Sequence, residues 1–160
     1  MTEGVGSREA ATVTIEVVAV NDAPVAVDDA LEAVEDTVLT ISAADLFGAD
    51  GTGPANDYDI DSASFSSITV QSLVSHGVLE LDGVAVALGQ EITAADIGAG
   101  LLTFVPEADY VGDATFDYTV SDGVLSSDAA TVTIAVGAVN DAPVAYPDTN
   151  QITELETSND

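Results

Sequence analysis

An all-β chain folded as two packed sheets is the class this sequence predicts, on three observations. About seven short runs rich in Val, Ile, Thr and Phe alternate apolar and polar residues, the period of two that suits a half-buried strand. Turn residues separate those runs, and no stretch carries the periodicity of a long amphipathic helix. The chain also repeats itself: the seventeen residues from Ala10 to Ala26 return from Ala129 to Ala145, with only Glu16/Ala135 and Val18/Gly137 differing. Near-identity at an interval of 119 residues, the size of a domain, marks a window cut from a tandem array. One complete unit is expected over 21–140. Residues 1–20 then hold the last strand of a preceding unit, loose for want of its own sheet, and 141–160 hold a linker and the first strand of a following unit.

Taken in order, Thr12, Thr14 and Glu16 alternate with Val13, Ile15 and Val17, and Pro24 ends the run at an Asn-Asp-Ala-Pro linker. An edge-type segment over 24–33 has Val25, Val27 and Leu31 as inward candidates. After a turn at Glu35-Asp36-Thr37 comes a short strand over 38–41. Residues 42–47 read as one helical turn capped by Ser42. A Gly- and Asp-rich loop, 48–64, is long enough to suggest a task. Strands follow over 67–74, 78–81 and 84–87, the last two joined by Asp82-Gly83, a pair that favours a tight hairpin. A second helical turn is expected over 92–97, ended by Gly98 and Gly100. Strands over 101–105, stopped by Pro106, then over 115–120 and 130–136, complete the unit. This order predicts a Greek-key β-sandwich of immunoglobulin-like type.

Charge is the extreme feature. Arg8 is the only Lys or Arg against 29 acids, a formal net charge of −28. Nucleic acid and anionic membrane surfaces reward Lys and Arg, so neither is an expected partner; cations are. Few aromatics and many acids can signal disorder, but 47% of the residues are hydrophobic and sit in β-branched runs, which indicates a folded chain with an acidic surface. There is no Cys to staple the loops, and no apolar run approaches the roughly 20 residues that span a bilayer. The fragment is expected to be a monomer.

In a sandwich of this order, alternate connections fall at opposite ends. Asn21, Asp22, Asp57, Asp59, Asp61 and Asp122 converge at one end; Glu35, Asp36, Glu107, Asp109, Asn140 and Asp141 converge at the other. Carboxylates gathered at a loop end repel one another unless a cation sits among them. Ca²⁺ suits them best, taking six to eight oxygens in tolerant geometry, whereas Mg²⁺ demands a strict octahedron and zinc prefers His and Cys. Asp57-Tyr58-Asp59-Ile60-Asp61 is a D-x-D-x-D ladder but no EF-hand, because Ser62 and Ile68 stand where that loop needs Gly and Glu.

The linker Val139-Asn140-Asp141-Ala142-Pro143, the Glu35-Asp36-Thr37 turn, the Asp59-x-Asp61 loop and the Val120-Ser121-Asp122-Gly123 hairpin together resemble the bacterial cadherin-like tandem repeats of giant RTX-type adhesins and related surface proteins. The resemblance covers Ala10 to about Glu156. It implies calcium at the junctions between units, held by Asn21, Asp22, Asp59, Asp61 and Asp122 where the chain enters the unit and by Glu35, Asn140 and Asp141 where it leaves. Asp57 joins the metal candidates through the ladder itself. The chain departs from the family pattern in its shorter Asn-Asp-Ala-Pro linker and in the loop after Pro106, which offers only Glu107 and Asp109. The implied role is a secreted, extracellular spacer whose partners are the neighbouring repeats of its own chain.

Plainer readings stand beside these. Scattered acids can be mere surface solvation, Asp82-Gly83 and Asp122-Gly123 are ordinary turn pairs, and His76 before Gly77 is an exposed turn residue. A recognition module for carbohydrate, or for a like module on another cell, is the alternative of another class. Catalysis lacks a nominated pair: no G-x-S-x-G, no phosphate loop and no basic patch occurs.

Overall fold

Ten alternating residues form the longest strand of the computed structural model, which describes residues 1, 6, 9–48, 57–62, 64–140, 145 and 147. The strands are β1 (Asp29–Val34), β2 (Leu39–Thr40), β3 (Ser67–Val70), β4 (Gly77–Leu81), β5 (Val84–Ala85), β6 (Glu91–Thr93), β7 (Leu102–Pro106), β8 (Gly112–Ser121) and β9 (Ala130–Gly137). Two single-turn helices, α1 (Ala43–Phe47) and α2 (Ala94–Gly98), interrupt them. One sheet runs β1-β9-β8-β3-β6 and the other β2-β7-β4-β5; every pair is antiparallel except β1 with β9.

The period of two produces the core directly. Ala114, Phe116, Tyr118 and Val120 of β8 turn inward beside Ala130, Val132, Ile134 and Val136 of β9, and Leu102 and Phe104 of β7 face them from the other sheet. Ile68 and Val70 of β3, Ile41, Leu46 and Ile97 close the same cluster. At α1 the Asp45 carboxylate accepts from both the N–H and the hydroxyl of Ser42, at 2.7 Å each, fixing the first turn at the expected cap. The Asp82-Gly83 pair has φ of 50° and 74°, the two positive angles of a type I′ hairpin.

Three expectations are corrected. Ile92 and Thr93 belong to strand β6, not to the second helical turn: Ile92 is fully buried opposite Ile68, and Thr93 then caps α2 by accepting from the Asp96 N–H. The run expected over 67–74 stops at Val70, because Gln71 and Ser72 both turn their N–H groups to the Asp117 carbonyl. Val25 does not face inward; it is exposed and forms an isolated bridge with Tyr58.

Gly77 opens β4 opposite Pro106 of β7, against the Phe104 ring. A Cβ there would sit 2.6 Å from the Val105 carbonyl oxygen and closer still to the Phe104 ring. Gly77→Ala is therefore expected to destabilise the fold by about 2–3 kcal/mol through overpacking, read as a lowered midpoint in urea at unchanged m-value.

Candidate metal centre

At the end where the chain enters the unit, residues 21–25 are zipped onto the loop at 57–61. Val25 and Tyr58 exchange both backbone bonds, at 2.8 and 3.0 Å. The Asp22 N–H donates to Asp61 Oδ2 at 2.9 Å. Asn21 Nδ2 donates to Asp122 Oδ2 at 2.7 Å and to the Asp22 carbonyl at 3.0 Å.

Asp122 is held by the hairpin that it starts. Its Oδ1 accepts from the N–H groups of Val124 and Leu125, at 2.6 and 2.7 Å. The Leu125 N–H, then the Asn21 amide and the Val124 N–H, keep its carboxyl below the usual carboxylate range. Asp59 closes a turn of its own: Oδ1 accepts from the N–H groups of Asp61 and Ser62, at 3.0 and 3.1 Å. Its second oxygen, Oδ2, is buried and has no hydrogen-bond partner among the described residues. A buried carboxylate oxygen without a donor is costly unless a cation or water meets it, and hard oxygens suit Ca²⁺. Asn21, Asp22, Asp59, Asp61 and Asp122 are thus brought to one end of the sandwich. Among the described residues, however, no three His, Cys, Asp or Glu side chains converge into a ready-made metal cage.

Asp57 goes elsewhere. It is fully buried, its Oδ1 accepting from the Val27 N–H at 2.7 Å, and both its oxygens lie 3.1–3.2 Å from the Tyr118 hydroxyl. That hydroxyl lies closer to Asp29 Oδ2, at 2.7 Å, and 3.3 Å from the Val27 carbonyl. One phenolic proton thus faces two carboxylates. Burial is the main cause that pushes Asp29 up to about 7 and Asp57 up to about 6, and the Asp57 charge adds to the rise at Asp29. The same burial and the two acids raise Tyr118 far above its ordinary value. Sequence reasoning gave neither Tyr118 nor Asp29 a part in this site; the D-x-D-x-D ladder gave no sign that its first acid turns inward.

At the opposite end Glu35 is only 4% exposed, and its Oε1 accepts from the Val139 N–H at 2.8 Å. The Glu35 N–H donates to the Gly137 carbonyl, carrying the β1–β9 ladder one step further. Asn140 follows, exposed, while Asp141 lies outside the described residues. Glu107 meets His76 instead, Oε2 to Nδ1 at 3.3 Å, and the His76 ring stacks on Tyr110 with centroids 4.0 Å apart. Glu35→Ala is expected to cost about 1–2 kcal/mol by leaving the Val139 N–H without its acceptor. Faster amide exchange at Val139 is the specific readout.

A two-sheet sandwich with a parallel first strand, whose loop acids grip the linker that enters it, defines an immunoglobulin-like module of the cadherin kind. The sequence model of the bacterial cadherin-like domain matches residues 21–138, and the chain belongs to that family. No curated protein matches it significantly. Such domains are adhesion-type repeats of extracellular or surface proteins and serve as structural modules. Among the described residues no helix is long and apolar enough to cross a membrane.

Proposed function

We propose that this unit is a non-enzymatic spacer of a large secreted bacterial adhesin of the RTX type, stiffened by Ca²⁺ at its junctions. The observation that carries the reading is the buried Oδ2 of Asp59, without a hydrogen-bond partner among the described residues, in a loop that already holds the linker through Asp61 and stands with Asp122 at the same end. Ca²⁺ there would draw on Asp59, Asp61 and Asp122 with Asn21 and Asp22, and a preceding unit would complete the shell with its own counterpart of Glu35. Asp57 is left out of this ligand set, since Val27 and Tyr118 already occupy it.

The mechanism is mechanical. Without the ion, repulsion among acids in a chain of net charge −28 loosens the linker. With it, the acids hold linker and loop in one geometry, so adjacent units swivel less. Cytosolic calcium is too scarce to fill sites of extracellular affinity, which couples stiffening to export. A chain of two consecutive copies of 21–140 is expected to give a longer maximum dimension by small-angle scattering in 1 mM Ca²⁺ than in EDTA. Equal dimensions in the two buffers would contradict the spacer role.

A recognition role has one observation in its favour, the half-exposed His76–Tyr110 stack beside Glu107, a platform of the kind that sugar rings use. Binding of the single unit on a glycan array, lost in Tyr110→Ala, would favour that reading.

A further inference from the structure

Residues 9–20 form no strand, and their apolar side chains stand in solvent: Val13, Ile15 and Val17 are 81%, 80% and 87% exposed. Their sequence is that of β9. We propose that residues 11–18 are a second occupant for the slot that β9 fills, and that the slot they enter is on a second copy of this chain.

Position by position, the slot admits them. The four buried residues of β9, Ala130, Val132, Ile134 and Val136, correspond to Ala11, Val13, Ile15 and Val17, identical in every case. Thr131, whose N–H donates to Asp28 Oδ1 at 2.8 Å and whose hydroxyl donates to Asp117 Oδ1 at 2.7 Å, corresponds to Thr12. The two differences fall where nothing resists them. Glu16 replaces Ala135, which is exposed, and Val18 replaces Gly137, where an added Cβ meets nothing nearer than the Ala33 carbonyl oxygen at 3.8 Å. Beyond the strand, Val20 corresponds to Val139 and brings an N–H to the same Glu35 acceptor.

The chain's own slot is the poorer choice. Val136 pairs beside Ala33 and Gly112, at the far end of the strand from Tyr118 and the Asp122 hairpin. Seating Val17 there would leave only four residues, about 14 Å when extended, to reach Asn21 at Asp122, against roughly 30 Å of strand to retrace from Gly112 to Asp122. The Asn21–Asp122, Asp22–Asp61 and Val25–Tyr58 contacts would all break. In a second copy none of them breaks. The donor keeps its linker docked, and the acceptor's Glu35 receives the donor's Val20. The contact joins different surfaces of the two copies, so it propagates head to tail and reproduces the junction of a tandem array.

Because the buried contacts are the same for either strand, association entropy and the tether decide. β9 hangs from β8 by a short hairpin, which gives it an effective concentration in the millimolar range. Exchange therefore belongs to concentrated protein in which β9 is not yet seated, and the −28 charge makes it favour salt.

The test uses the full 160-residue chain, which has no cysteine. Asp113 pairs with Ala135 in the β8–β9 register and both are exposed, so Glu16→Cys in one chain and Asp113→Cys in another should meet in the exchanged species. The two variants are unfolded together, refolded at about 1 mM in 0.5 M NaCl, oxidised, and their disulfides identified by mass spectrometry. A ratio of mixed 16–113 to like-with-like disulfides several-fold above that of random pairing, brought back to it when Ile15→Asp is added to the Glu16→Cys chain, is the expected result. Ile15 is solvent-exposed in the monomer, so that change leaves the fold intact. A statistical share of mixed disulfide, or one indifferent to Ile15→Asp, overturns the proposal.

Discussion

Adding 1 mM Ca²⁺ to the metal-free chain is expected to raise its melting temperature by roughly 5 °C for each site filled, and Mg²⁺ at the same concentration to do much less. A site of the extracellular class, binding at about 10⁻⁴ M, contributes on the order of 1.4 kcal/mol at millimolar Ca²⁺. For a unit of this length that converts to several degrees. The double change Asp59→Asn, Asp61→Asn should remove most of the rise, because it takes the charge from the buried Oδ2 of Asp59 and from the carboxylate that grips Asp22. Scanning calorimetry of both chains in EDTA and across a calcium titration checks this. An equal rise in the double variant would place the ions elsewhere, and no rise in either would return the acids to surface solvation.

Stability without metal is expected to fall as pH rises from about 4 to about 7, opposite to the trend for carboxylates stabilised by folding. Asp29 and Asp57 ionise at about 7 and 6 in the fold, against 3.8 for an ordinary Asp, so between those values the folded chain holds more protons than the unfolded one. Stability then declines with pH through that window and levels off above the folded values. Asp122 acts in the opposite sense. Its carboxyl is held low, so its contribution is present above the ordinary carboxylate range and disappears only in acid below it.

Two variants separate the parts of that network. Asp29→Asn removes one of two carboxylates competing for one phenolic proton and supplies a donor. It should raise stability at pH 8 by about 1–2 kcal/mol, a figure reduced from the full shift because Asp29 is only partly buried, and flatten the profile. Tyr118→Phe removes the hydroxyl both acids lean on and should cost about 2–4 kcal/mol at pH 8, with less lost at pH 5 where a carboxyl proton can take its place. Chemical melts from pH 5 to 8 read both. A Tyr118→Phe penalty equal at the two pH values would contradict the shared-proton account.

The two ends of the sandwich were legible because turn residues and the repeated linker fix which loops gather where. That Asn21, Asp22, Asp61 and Asp122 share one end, and that Glu35 shares the other with the exit linker, followed from that order, though the individual pairings did not. Asp57 escaped because period-two reasoning puts the three acids of the ladder on one face, whereas the Tyr58–Val25 bridge and the bend after it send the first beneath Tyr118 and leave the other two beside the linker. The Asp29 pairing was invisible for a different reason. Its partner hydroxyl lies 89 residues away, and nothing local distinguishes an acid at a strand edge from one beneath a tyrosine. Likewise Ile92 became strand only through its register opposite Ile68, a tertiary preference that overrode the local helical pattern.

The most direct measurement is calorimetric titration of Ca²⁺ into the metal-free chain, run beside the same titration of Asp59→Asn and with Mg²⁺ as competitor. Saturable binding near 10⁻⁴ M, weakened at least tenfold in Asp59→Asn and little affected by Mg²⁺, is the predicted result. Binding indifferent to Asp59, or no heat of binding at millimolar Ca²⁺, would contradict a calcium site at this junction.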